Sequence, residues 1–213
     1  MPSKMKFAVK AIGGQPLRSC MTLIAALLLG AMAASAPAAA QRTSKNLHLG
    51  SPVVAVTYDL ERARTAAIGG SGFWLQGGGV DVDVPFYRGL SLVGSFSGAH
   101  ASNIQPGVNL SKLTYLDGPR YTLSGSRFQI FGEGLFGGAH AFDGIFPATG
   151  GATPTANSYA IQLGGGVDIP LRNGFGVRAL ELDYVRTGLP NNGTNSQNDL
   201  RLAFGLSYHF NHK

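Results

Sequence analysis

The sequence predicts an all-β chain: eight antiparallel strands closed up-and-down into a transmembrane barrel with a polar interior, behind a cleavable signal peptide. Three observations carry that expectation. Apolar residues alternate with small or polar ones in segment after segment, and no helical periodicity follows Gln41. Connections between segments alternate long and short, the layout of a barrel whose turns face one side of a membrane and whose loops face the other. Aromatic residues sort toward the two ends of the strands, as two membrane–water interfaces select.

Residues 1–40 read as an export signal. Lys4, Lys6, Lys10 and Arg18 form a basic lead, Leu23 to Met32 is almost wholly apolar, and Ala38-Ala39-Ala40 offers a small-residue cleavage site before Gln41. A permanent helical anchor needs ~20 strongly apolar residues, and this run gives way to Ala, Ser and Pro37 after about a dozen. Met5 and Met21 are alternative starts. Residues 41–52 are expected as a short periplasmic segment and residues 53–213 as the barrel. Cys20, the one cysteine, precedes the apolar core, so it is no lipidation site. The mature chain then lacks disulfides, thiolate catalysis and Cys-based metal sites. Of the 17 Lys and Arg residues, four leave with the signal, so 13 stand against 11 acidic residues, a formal +2. That balance argues against a nucleic-acid partner.

The first strand alternates Val54, Val56, Tyr58 and Leu60 with Ala55, Thr57, Asp59 and Glu61. The second sets Trp74, Gly78, Val80, Val82 and Val84 against Gly77, Gly79, Asp81 and Asp83, and Pro85 to Gly89 turns the chain. The third sets Leu90, Leu92 and Phe96 against Ser91, Ser95 and Ser97, before a looser stretch from Ser102 to Asn109. The fourth, Lys112 to Leu123, has Leu113, Tyr115, Tyr121 and Leu123 on one face and Thr114, Arg120 and Thr122 on the other. Pro119 fits a sheet interior poorly, and Asp117 falls on the apolar face.

Ser124-Gly125-Ser126 is a short turn. The fifth strand sets Phe128, Ile130 and Phe136 against Gln129 and Glu133, with Phe131 and Leu135 also on the polar side. A long loop, Asp143 to Asn157, follows. In the sixth strand Tyr159, Ile161, Leu163, Val167, Ile169 and Leu171 oppose Ala160, Gln162, Gly164, Gly166 and Asp168. Arg172-Asn173-Gly174 is a hairpin turn. The seventh strand changes parity from Phe175, Val177 and Ala179 to Leu180, Leu182 and Tyr184, which predicts a β-bulge near Ala179. After a loop from Pro190 to Gln197 the eighth alternates Leu200, Leu202, Phe204, Leu206, Tyr208 and Phe210 with Arg201, Ala203, Gly205, Ser207 and His209. Two short echoes, Gly77 to Gly89 with Gly164 to Gly174 and Ser97-Gly-Ala-His-Ala with Gly137-Gly-Ala-His-Ala, fit hairpin duplication.

The faces decide between membrane and water. One face collects Asp59, Glu61, Asp81, Asp83, Arg120, Glu133, Asp168, Arg178, Glu181, Asp183, Arg201 and His209, and the other is mostly Val, Leu, Ile, Phe and Tyr. A lipocalin-like soluble barrel with the bulky set inside overfills itself, because an eight-stranded barrel has an interior just wide enough for side chains. Inverted, the charges and small residues fill the lumen and the apolar set meets lipid. Arg120, Arg178 and Arg201 are then expected to bridge several carboxylates each. Such a network reads as a polar plug or as a gated narrow path.

The segment Leu200 to Phe210, the stretch Asp117 to Leu123 and the Gly-rich strands resemble the eight-stranded outer-membrane barrels of the OmpA-like and OmpX-like group. The resemblance covers Val53 to Phe210. It implies a protein integral to the lipid bilayer of a Gram-negative outer membrane. It also implies that Leu202, Phe204, Leu206, Tyr208 and Phe210 are the C-terminal signal read by the barrel-assembly machinery. The role it implies is structural, surface-interacting or narrowly permeating in a porin-like way, without catalysis, cofactor or metal. No peptidoglycan-binding domain is expected after the barrel, so a cell-wall tether is not carried over, and Asp117 stands where that group has a lipid-facing residue.

An enzyme on the same scaffold is the rival reading. Lipid A deacylases and palmitoyl transferases use His with Ser and a carboxylate near the outer rim. His100 and His140 fall near that rim, with Ser97 and Ser102 beside the first. Both histidines lie on the outward parity with no carboxylate nearby on that face, so they are expected as interfacial polar residues.

Overall fold

A computed structural model describes residues 50–64, 72–191 and 193–210. The expected signal peptide, most of the segment 41–52 and the first long loop therefore lie outside the described residues. Eight long strands close on themselves: β1 (Val53–Arg64), β2 (Gly72–Tyr87), β3 (Leu90–Gln105), β4 (Val108–Ser124), β5 (Gln129–Phe142), β8 (Ala156–Pro170), β9 (Phe175–Thr187) and β10 (Gln197–His209). Two short strands, β6 (Phe146–Ala148) and β7 (Gly151–Thr153), pair as a separate hairpin between β5 and β8. Each barrel strand pairs antiparallel with its sequence neighbour, and β1 closes the barrel against β10. Closure gives every barrel strand a partner on both sides, which removes the exposed edges that lipid does not tolerate. The shortest barrel strand has 12 residues. At ~3.3 Å per residue and a tilt of ~45° it still rises about 28 Å, enough for a bilayer core.

The alternation has the inverted sense. Leu206 is 62% exposed on the outside, whereas Arg178 is 1% exposed on the inside. Val56, Leu163, Leu182 and Phe204 join Leu206 outside, while Asp168 and Arg201 are buried. Tyr121, Phe128, Phe175, Tyr208 and Phe210 stand outward near the short-turn end. The Tyr208 ring meets Phe175 at 5.0 Å and Phe210 at 4.9 Å, edge-on in both cases. Tyr58, Trp74, Tyr159 and Tyr184 stand outward toward the loop end.

Connections follow local chemistry. Asn173 (φ 60°) and Gly174 (φ 83°) make a two-residue turn between β8 and β9, the positive-φ pair that matches strand twist. Arg88 (φ 31°) and Gly89 (φ 84°) do the same between β2 and β3, so the turn is shorter than the expected Pro85 to Gly89. Pro85 and Phe86 belong to β2, with a register shift between Pro85 and Tyr87. The stretch Ser102 to Asn109 is also tighter than expected. Strand β3 runs to Gln105 and β4 starts at Val108, with a register shift between Ala101 and Gln105. Ser, Asn and Gln there compose like a loop, but a ladder needs only backbone donors and acceptors. The bulge expected near Ala179 is present: Val167 pairs with Leu180 and Asp168 with Arg178, leaving Ala179 over.

Candidate functional site

The lumen is the densest chemistry in the molecule, and neighbouring strands build it pair by pair. Arg120 on β4 lies in register with Glu133 on β5, Arg178 on β9 with Asp168 on β8, and Arg201 on β10 with Asp183 on β9. Each arginine then reaches further. Arg120 meets Glu133 at 2.5 Å, Asp81 at 3.0 Å and Asp83 at 3.4 Å. Arg178 meets Asp81 at 2.5 Å, Glu181 at 2.9 Å and Asp168 at 3.1 Å. Arg201 meets Asp183 at 2.9 Å and Glu181 at 3.2 Å, and donates to Ser97 Oγ at 3.3 Å. The planar guanidinium fork suits this sharing, since its five donors serve several carboxylates at once.

Two backbone features make the network fit. Residues three apart on a regular strand face opposite ways, yet Arg178 and Glu181 both point inward because the bulge at Ala179 inserts an extra residue between them. Asp183 lies over Gly164, its partner on β8, where any Cβ would collide with Asp183 Oδ1. The Phe131 ring adds an apolar filler. It lies 4.3 Å from the Arg120 guanidinium and 4.8 Å from that of Arg178, within cation–π range.

All ten expected interior residues (Asp59, Asp81, Asp83, Arg120, Glu133, Asp168, Arg178, Glu181, Asp183 and Arg201) are buried in the lumen. Asp59 stands apart from the arginine contacts, and its Oδ1 has no hydrogen-bond partner. The sequence reading missed a second tier toward the loop end. There Lys112 meets Glu61, and also Asp199 at 3.0 Å. Both newcomers were findable by parity, since Lys112 matches Arg120 and Asp199 matches Arg201 on their strands. Gln162 also joins, donating to Glu133 at 2.9 Å. Carboxylate oxygens of Glu133, Glu181 and Asp183 come within 4.8 Å of one another. Arginines already hold all three, so the cluster reads as part of the ion-pair network.

On the outer surface the expectation that no carboxylate lies near His100 needs correction, because Asp143 is linked to it through Ser111. His100 Nδ1 lies 2.9 Å from Ser111 Oγ, and Ser111 donates to Asp143 Oδ2 at 3.0 Å. His100 Nε2 lies 3.0 Å from Ser102 Oγ. With Ser111 donating to Asp143, its oxygen accepts from Nδ1–H, which leaves Nε2 bare to accept from Ser102. His140 instead pairs with Asn157 at 2.6 Å and stacks on Phe142. Asp117 is exposed on the apolar exterior, opposite Gly94 and Phe136.

No protein-family model and no curated protein matches the chain. Solved structures do. Neisserial surface protein A superposes with a TM-score of 0.62 at 10% identity, covering 76% of this chain and 99% of that one. Ail, the attachment invasion locus protein of Yersinia pestis, in complex with the heparin analogue sucrose octasulfate, superposes with a TM-score of 0.53 at 14% identity, covering 76% and 100%. At such identities the likeness shows architecture alone: this chain has the fold of the eight-stranded outer-membrane β-barrels.

Proposed function

We propose that this chain is an integral outer-membrane barrel with a structural and surface-interacting role, whose lumen is a sealed plug and which performs no catalysis. The observation that carries this reading is the continuous tier of buried ion pairs from Asp168 through Arg178, Asp81 and Arg120 to Glu133. It fills the lumen of a barrel that is already narrow. Nine of the ten interior residues act as struts of that plug, and Asp59 fills space beside them without an ion pair among the described residues. The lipid bilayer surrounds the exposed apolar band. Leu202, Phe204, Leu206, Tyr208 and Phe210 on the outer face of the last strand offer the barrel-assembly machinery its signal during biogenesis. The long loops then face outward, as in barrels with short periplasmic turns. Ail, one of the structural neighbours, was solved with a heparin analogue, which supports a surface role for this scaffold. Two measurements test the reading. The protein is expected to shift mobility between unheated and heated detergent gels, and to give no steady conductance in planar bilayers. A persistent conductance would favour a narrow pore.

The chain Ser102–His100–Ser111–Asp143 favours a second reading, hydrolysis of an acyl ester in outer-leaflet lipid. Ser102 Oγ would attack the ester carbonyl while His100 Nε2 takes its proton. The ester C–O bond breaks and the lipid hydroxyl leaves with that proton; water, deprotonated by His100, would then hydrolyse the acyl-serine to a free fatty acid. Incubating the folded barrel with lipid A and weighing the products decides it. Loss of one acyl chain that disappears in His100→Ala supports the enzyme; an unchanged lipid mass removes it.

A further inference from the structure

Gly164 stands in register between Glu133 on β5 and Asp183 on β9, on the lumen face that those two acids share. Lacking a side chain, it leaves open the space into which Asp183 Oδ1 leans, across Gly164 toward Glu133. Glu181, also on β9, joins them, and carboxylate oxygens of the three acids lie within 4.8 Å of one another. Arginines take Glu133 Oε2, Asp183 Oδ2 and both oxygens of Glu181. Two further oxygens receive no donor. Asp183 Oδ1 and Gln162 Oε1 have no hydrogen-bond partner, although Asp183 is 0% and Gln162 1% exposed. Gln162 precedes Gly164 by one inward position on β8, and its Nε2 donates to Glu133 Oε1 at 2.9 Å. The amide therefore lies against the acids, and half a turn about its Cγ–Cδ bond brings its oxygen to the place of its nitrogen.

We propose that Glu133, Gln162, Glu181 and Asp183 enclose a divalent cation of the calcium type inside the plug. Asp183 Oδ1, Glu133 Oε1 and the turned Gln162 Oε1 are its first ligands. Glu181 completes the set, since a carboxylate oxygen has lone pairs enough for an arginine and a metal together. Charge favours the ion. In this tier Asp81, Asp83, Glu133, Asp168, Glu181 and Asp183 meet only Arg120, Arg178 and Arg201, six carboxylates to three guanidiniums. A dication offsets most of that surplus, which otherwise repels itself in a buried site. Hydrogen bonding separates a metal from a proton. A proton on Asp183 lets it donate to Glu133 but leaves Gln162 Oε1 unpaired, whereas a cation takes both oxygens. The donors then select the metal. They are all hard oxygens, without His or Cys, which suits calcium or magnesium and not zinc. Magnesium keeps several waters, and Asp183 Oδ1 and Gln162 Oε1 are closed off from solvent, so calcium fits better. The ion enters while the barrel assembles and is then enclosed.

The test folds the full chain from urea into zwitterionic detergent, free of lipopolysaccharide, in calcium, magnesium or a chelator, and then passes it through metal-free buffer. Metal analysis is expected to find about one calcium retained per barrel, and the urea midpoint to be higher with calcium than with chelator. Magnesium is expected to need at least about tenfold more for the same shift. Asp183→Asn is expected to lose both the retained calcium and the calcium-dependent part of the midpoint. Asp83→Asn, in the same ion network but outside the cluster, is expected to keep both. No retained calcium, with one midpoint in calcium and chelator, would overturn the proposal and leave the surplus to protons. Equal retention by Asp183→Asn would overturn it by placing the calcium elsewhere, and equal binding of magnesium would overturn the closed, water-free site. If Asp183→Asn does not fold, Gln162→Met decides: it keeps the side chain's length without the oxygen, and an unchanged calcium dependence would overturn the proposal. The site rests on the plugged-barrel reading, yet the two fail separately. A silent barrel that holds no calcium keeps the plug and ends the cation site, whereas a conducting barrel that retains calcium ends the plug alone.

Discussion

Arg178 Nη1 and Asp81 Oδ2 lie 2.5 Å apart although their strands, β9 and β2, are separated around the barrel by β10 and β1. The pair spans the lumen as a strut. Asp81 Oδ2 also receives Arg120 at 3.0 Å, so one carboxylate oxygen joins two guanidiniums from opposite sides of the interior. Backbone ladders hold each strand only to its neighbours, and this bridge ties strands that share no ladder.

Removing the cation from that strut is expected to cost the most. Arg178→Met leaves Asp81, Asp168 and Glu181 short of a partner in a buried site. Breaking a buried pair from one side typically costs about 3–5 kcal/mol. Urea unfolding in lipid vesicles, followed by fluorescence of Trp74, the single tryptophan, measures it. An unchanged midpoint would remove the strut from the account of stability.

Carboxylates should behave in the opposite sense. The described lumen holds Asp59, Glu61, Asp81, Asp83, Glu133, Asp168, Glu181, Asp183 and Asp199 against only Lys112, Arg120, Arg178 and Arg201. In a low-dielectric interior that surplus repels itself. Asp59→Asn removes one charge from a side chain with an unpartnered Oδ1. The variant is expected to unfold at equal or higher urea than the parent. A drop of more than about 1 kcal/mol, the worth of a typical net hydrogen bond, would show instead that Asp59 is a needed acceptor.

The bulge gives a geometric prediction. Deleting Ala179 restores a regular strand, in which Arg178 and Glu181 become two apart and both keep the lumen face. The deletion is therefore expected to assemble, read as the heat-shifted band on gels. Deleting Leu182 instead slips the rest of the strand by one residue and turns Asp183 and Val185, both buried, toward lipid. Assembly yield of that variant is expected to fall sharply, and equal yields from the two deletions would remove the bulge from the account.

Parity made most of this fold legible in the sequence, because a closed barrel in lipid forces one face of every strand inward. Glu133, Asp168 and Arg201 could be placed inside by counting in twos. Strand ends carried less information. Lys112 and Asp199 obey the same parity as Arg120 and Arg201, yet they open their segments beside polar loops, where the alternation has too few residues to register. The hairpin of β6 and β7 is only three residues a side, too short for any periodicity. Contacts set by register were out of reach altogether. Ser111 meets His100 on one side and Asp143 on the other because β4 pairs His100 with Ser111 and Ser111 with Phe142. No local pattern encodes those offsets.

Asp117 marks a place where local chemistry and environment disagree. It lies toward the middle of β4 on the apolar exterior, between Gly94 and Phe136. A carboxylate on the lipid face costs less than a lysine or arginine, whose penalty is about 2–4 kcal/mol at the midplane. Asp117→Leu is expected to raise the unfolding midpoint by on the order of 1 kcal/mol. A loss of stability would mean that Asp117 has a partner outside the lipid, such as a second barrel, and cross-linking across that face would reveal it.

Phe131 is the part of the plug that is not charged, and it tests whether the lumen is sealed by packing or by ion pairs alone. Its ring is 4% exposed, lies against the guanidiniums of Arg120 and Arg178, and rests over Gly166, where an added Cβ would come within 2.7 Å of the ring. Phe131→Ala removes the ring while every ion pair keeps both partners. Large-to-small changes of this kind cost about 3–5 kcal/mol, part of it for the void left behind. This void is lined by charges, so water is expected to enter it. The acid surplus then sets the sign of any current: potassium passes more readily than chloride, because fixed negative charge concentrates cations in the constriction. The unmodified barrel is expected to stay silent in planar bilayers, and Phe131→Ala to show brief cation-selective openings. Silence in both would assign the seal to the ion pairs, and the same current in both would mean the lumen was never closed.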